Sequence, residues 1–182
     1  MKKIIKLFNI LSIVTLILVG CSGSDENNAQ KVAKDFGTKL YTVDSKRIND
    51  YNVLIKSKDV HSLAEIMHSN DETIKSLMTE EGYNSLVANR DNTLNTQSCA
   101  EGNYTMQIEN FTLSPNVYDI KENKAGYKFE TRLKFISNKD KTEHTDIGKG
   151  YIGLSKENGQ WKISVYRMTE LPKLIKDTLN NK

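Results

Sequence analysis

Hydrophobic positions follow two periods along the chain, helical before residue 92 and strand-like after residue 103. Ala29, Val32, Ala33, Phe36 and Leu40 fall on one stripe of a helix of about three turns. Asp44 or Ser45 can open a second helix, with Ile48, Tyr51, Leu54 and Ile55 on its buried side. Val60, Leu63, Ala64 and Met67 mark a third piece. Asn70 or Asp71 caps a fourth that carries Ile74, Leu77 and Met78. Thr79, then Glu80 and Glu81, predicts a helix start: a capping hydroxyl, then acids at the positive end of the dipole. Tyr83, Leu86, Val87 and Arg90 share a face of that helix.

Beyond the connection at 92–103 the period drops to two. Tyr104, Met106 and Ile108 alternate with polar neighbours, and Phe111 and Leu113 continue in the opposite parity. That slip predicts a bulge near Glu109 or Asn110. Tyr127, Phe129, Thr131, Leu133 and Phe135 alternate with Lys128, Glu130, Arg132 and Lys134, a half-buried strand with its cations toward solvent. Ile147 to Leu154 is a third strand, loosened by Gly148, Gly150 and Gly153. Trp161, Ile163 and Val165 are expected to face inward on the fourth. Turns fall at 122–126, 138–141 and 157–159, the last with the favoured Asn-Gly pair. Thr169 and Pro172 can start a short final helix docked by Leu171, Leu174, Ile175 and Leu179. The sum is an α+β domain: N-terminal helices packed on a curved, cone-like antiparallel sheet, then a short C-terminal helix.

The first residues change the reading of charge and compartment. Lys2, Lys3 and Lys6 precede an uncharged, apolar run from Leu7 to Gly20, which suits a secretion signal and is short for a membrane span. Leu18-Val19-Gly20-Cys21 resembles the bacterial lipobox at all four positions, which implies cleavage before Cys21 and acylation of its thiol. Residues 1–20 are then a signal peptide, 21–28 (CSGSDENN) a polar flexible tether, and 29–182 one domain. At least two acyl chains give stable anchoring where one is marginal. Of the 26 Lys and Arg, three leave with the signal, so 23 basic residues face 23 acidic ones. The net charge of +3 therefore points to no nucleic-acid partner. Of the two cysteines only Cys99 stays free after acylation, which excludes an intrachain disulfide. Without a nearby Lys, Arg or His in sequence, it reads as a reduced or half-buried thiol in a loop.

Helices, then a bent antiparallel sheet closing on Asn158–Tyr166 (NGQWKISVY), resemble the nuclear transport factor 2-like superfamily, which includes SnoaL-like proteins and many small bacterial lipoproteins. The resemblance runs from about Ala29 to Met168 and rests on element order and the Gly-x-Trp-x-Ile strand. It implies a cone with an apolar pocket at its wide end, which Tyr51, Met106, Phe129, Leu133 and Trp161 would line. Related cones serve ketosteroid isomerase chemistry and also act as assembly parts of conjugative and type IV secretion machines. An isomerase needs a carboxylate aimed into the pocket, and none of the inward positions is one.

Other chemistry has weak support. His61 and His68, with Asp59, Glu65 and Asp71 nearby, lack the spacing of a metal site and read as a solvated polar face. His144 and Asp146 could form a proton-transfer dyad, but polar residues beside a turn explain them as well. No catalytic set, metal site or cofactor is expected. The preferred reading is a membrane-tethered, non-enzymatic binding or scaffold domain, its partners the lipid bilayer through Cys21 and a cell-envelope protein. A small-molecule binder using the cone pocket and an isomerase- or dehydratase-like enzyme are the alternatives.

Overall fold

A computed structural model describes residues 21–56, 72–119 and 122–180. Helices α1 (Cys21–Tyr41), α2 (Ser45–Lys56), α3 (Glu80–Ala88) and α4 (Asp91–Gly102) precede strands β1 (Tyr104–Asp119), β2 (Lys124–Ser137), β3 (Glu143–Glu157) and β4 (Gln160–Glu170), and α5 (Lys173–Asn180) ends the fold. The strands form one antiparallel meander in the order β1-β2-β3-β4. The α+β arrangement, the curved open sheet and the short terminal helix are those predicted. The third predicted helical piece, the His61/His68 group and the signal segment lie outside the described residues.

Bulges sit on both edge strands. The β1–β2 register slips between Ile108 and Asn110, as the parity change predicts, and again between Pro115 and Val117. Proline is tolerated there because β1 is an edge strand. The β3–β4 register slips between Gly153 and Leu154, where Ser164 is the extra residue, and between Lys149 and Gly150. Each extra residue bends its strand and turns the following side chains over. The slip at Ser164 corrects one expectation: Val165 does not face inward but is 48% exposed, and Tyr166 and Met168 pack against the core in its place. Each sheet edge is covered by a single bridge from the helical half. Val43 exchanges both backbone hydrogen bonds with Met106 on β1, and residues 77–79 run beside Ile163 on β4. Such cover blunts edges that would otherwise recruit other strands.

The turns use the residues that tolerate positive φ. Asn158 and Gly159 have φ of 49° and 79°, the hairpin geometry expected of Asn-Gly. Thr79 caps α3 by accepting a hydrogen bond from the Gly82 N–H at 3.0 Å. Asp44 caps α2, its Oδ1 accepting from the Arg47 N–H at 2.8 Å.

Residues 21–28 are helical, and three further expectations, on α2, α3 and residues 92–103, are corrected. Extending an existing helix costs far less than starting one, and Asp25 is tied to Lys156 on β3 by an ion pair at 2.8 Å. In α2, Val53 and Ile55 are exposed, Ile55 at 61%. Arg47 in the first turn of that helix ties it to α1 and α4. Val87 is exposed, and Arg90 lies beyond α3 in the left-handed region. The segment read as a connection at 92–103 is mostly helix α4, and Cys99 is fully buried within it rather than in a loop.

That helix escapes an apolar pattern because its buried face is polar: Asn92, Asn95, Thr96 and Ser98 are buried beside Cys99. The last carbonyls of a helix lack intrahelical partners, and this seam supplies them for α1. Asn95 Nδ2 donates to the Leu40 carbonyl at 3.1 Å. Arg47 Nη1 donates to the Lys39 and Thr42 carbonyls at 2.9 and 3.1 Å, and Nη2 to that of Asn92 at 3.2 Å. Ser98 and Tyr104 share a buried hydroxyl pair.

Candidate functional site

The inner face of the sheet is the place where a cone would hold a ligand, and aromatic rings occupy it. Phe111 stacks on Phe129 with ring centres 5.2 Å apart and planes at 18°. Phe129 stacks in turn on Tyr166 at 6.0 Å and 14°. Phe36 meets Tyr166 edge-on at 5.4 Å, and Tyr41 lies 6.4 Å from Phe129. Two glycines make room. A Cβ at Gly37 on α1 would stand 2.7 Å from the Phe111 ring, and one at Gly150, the cross-strand partner of Phe129, would stand 2.5 Å from that ring. The Tyr41 hydroxyl bonds to that of Tyr166 at 2.7 Å and donates to Met168 Sδ at 2.8 Å. Burial pushes both phenols well above their ordinary range. They stay protonated at neutral pH and provide packing with internal hydrogen bonds, not a base.

The sequence-predicted lining residues are placed differently from one another. Met106, Leu133 and Trp161 are buried in the core, and Phe129 is at the centre of the ring stack. Tyr51 is half-buried on α2. Cys21 lies in α1. Cys99 is sealed: burial pushes its thiol up to about 12, against a smaller opposing pull from Arg47. A thiol held protonated and out of solvent is not a nucleophile.

His144 is exposed, and Asp146 has another use. Its Oδ2 accepts from the Leu174 N–H at 3.0 Å in the first turn of α5, and its Oδ1 from the Ile147 N–H at 2.8 Å. The carboxylate thus caps a helix from a neighbouring strand, a role that sequence distance hides. Among the described residues, no group of three or more His, Cys, Asp and Glu is positioned to hold a metal ion.

Clefts open on the surface of the described residues. One, of about 480 Å³, crosses the outer face of the sheet. Its walls include Thr112, Lys128, Glu130, Lys149 and Tyr151, with the edge of Phe129 visible past Gly150. Lys128, Tyr151 and Arg167 are directly opposite one another on β2, β3 and β4. Another, of about 560 Å³, lies between the start of α3 and the ends of β3 and β4, with Glu80, Glu81 and Glu157 on its rim. Both are open clefts rather than enclosed cavities, and apolar atoms make up most of the walls of the one on the sheet.

No protein-family model and no curated protein matches this chain. Solved structures resemble it to different degrees. An IcmL-like type IV secretion system protein from Legionella pneumophila superposes with a TM-score of 0.51 at 10% identity, over 77% of this chain and 88% of that one. The periplasmic domain of DotI gives a TM-score of 0.46 at 8% identity, over 78% and 92% of the two chains. A nuclear transport factor 2-like superfamily protein from Salmonella enterica gives 0.38 at 13%, over 69% and 87%. At 10% identity the likeness to the IcmL-like protein is one of fold.

Proposed function

We propose that the mature protein is an extracytoplasmic lipoprotein, acylated on Cys21, whose domain acts as a non-enzymatic binding or scaffold part of the cell envelope. One observation carries the reading: stacked rings occupy the inner face of the sheet, while the clefts described above lie on the outside. A domain built so engages partners through its surface. The lipobox at Leu18–Cys21 supports the anchor. The fold is also one that an IcmL-like type IV secretion system protein uses, which agrees with an assembly role.

Metabolic labelling with an alkynyl fatty acid, followed by crosslinking in intact cells, tests both halves. The wild type should take up the label and Cys21→Ala should not, and crosslinks should recover an envelope protein reproducibly. An unlabelled wild type contradicts the anchor. Recovery of the lipoprotein alone contradicts the scaffold role.

A further inference from the structure

The start of α1 bears on how an anchored domain would stand. The helix includes Cys21. One turn later Asp25 meets Lys156, whose ammonium donates to both carboxylate oxygens at 2.9 and 2.8 Å. The pair is largely covered, with side chains 28% and 22% exposed. The same ammonium lies 5.7 Å from the Trp161 ring centre, held between an anion and an aromatic face. The Lys156 N–H donates to the Asn123 carbonyl at 2.9 Å, which joins the β3–β4 hairpin to the β1–β2 turn. One end of the sheet is therefore fastened to the first turns of α1.

From these contacts we infer that the domain stands on the bilayer on this end, the β3–β4 hairpin at 157–160 with Asn123 beside it, rather than swinging on a leash. The inference rests on the proposed acylation of Cys21. Cys21 and Asp25 are four helical steps apart, about 6 Å of rise. The opposite end, with the β2–β3 turn at 138–141, is a strand length away: β2 has 14 residues, which span at most roughly 45 Å. At the near end Asp25 pairs with Lys156 and Glu122 with Lys124, so charge alone would not draw it to an anionic surface. The anchor helix and the Asp25–Lys156 clamp set the stance.

The test uses the acylated protein in vesicles of phosphatidylcholine, with and without phosphatidylglycerol, that carry a headgroup spin label as quencher. Gln160→Cys and Lys139→Cys, both at exposed positions, take a thiol-reactive fluorophore one at a time. Buried Cys99 does not compete for the dye. Fluorescence should be lost at position 160 and kept at 139, alike in both lipid mixtures. Asp25→Lys should remove the difference, and adding Lys156→Asp should restore it. Equal quenching at the two positions overturns the inference, as does a difference that Asp25→Lys leaves intact. Quenching at 160 only with phosphatidylglycerol would mean charge adsorption and also overturns it. Failure of the protein to carry acyl mass or to float with vesicles overturns the anchor reading itself, a separate readout from the position of the dye.

Discussion

The sheet and helix α4 bury comparable stretches of chain by opposite means. On β2, from Ala125 to Phe135, every second side chain is apolar apart from Thr131, and the buried face reads directly from the alternation. On α4 the buried face is Asn92, Asn95, Thr96, Ser98 and Cys99. The sheet gains by removing apolar area from water, a gain that is non-directional and tolerant of shape. The helix instead supplies a directed donor, Asn95, to the Leu40 carbonyl that α1 leaves unpaired, and the cost of losing it is the desolvation of an orphaned acceptor. Hydrophobic patterning reports the first strategy and is blind to the second.

Substitutions can break or sharpen that contrast. Phe129→Ala empties the centre of the ring stack and should destabilise the domain by about 3–5 kcal/mol in urea unfolding. Asn95→Ala leaves the Leu40 carbonyl without its side-chain donor, and about 1–3 kcal/mol should be lost in the same experiment. A loss near zero would mean that the polar seam is incidental. Thr79→Ala removes the α3 cap and should cost about 1 kcal/mol.

The smallest effect concerns pH. Hydrogen bonds from Ser137 and Thr142 hold the exposed Asp140 carboxyl below its ordinary 3.8. A group depressed in the folded state stabilises it above the unfolded value, and the stabilisation is lost as pH falls through the folded value. Asp140→Asn should therefore melt slightly earlier than wild type at neutral pH. The two should converge in acid, as pH drops from 3.8 through the depressed value. A gap that widens in acid would reverse the assignment.

The contrast also explains what could be read in advance. The strands, the first bulge, the Asn-Gly hairpin and the α3 cap were legible because each rests on local chemistry, a two-residue period or a single capping hydroxyl. The inward turn of Tyr166 and Met168 was not. A one-residue slip at Ser164 reverses parity, and only the partner strand reveals it. Glycines on β3 read as weakness, yet Gly150 gives Phe129 its place, and Gly126 and Gly153 lie under the Tyr151 side chain on the outer face. Asp146 reads as half of a dyad until α5 arrives to use it as a cap. Asp25 and Lys156 are far apart in sequence, and neither is marked by its neighbours.

The account turns on the inner face of the sheet being filled by its own rings, and xenon tests that most directly. Crystals or solutions of the wild-type domain under xenon pressure should show no xenon among Phe111, Phe129 and Tyr166, while Phe129→Ala should take it up at that place. Xenon bound there in the wild type would reveal an open pocket and contradict the surface-binding reading.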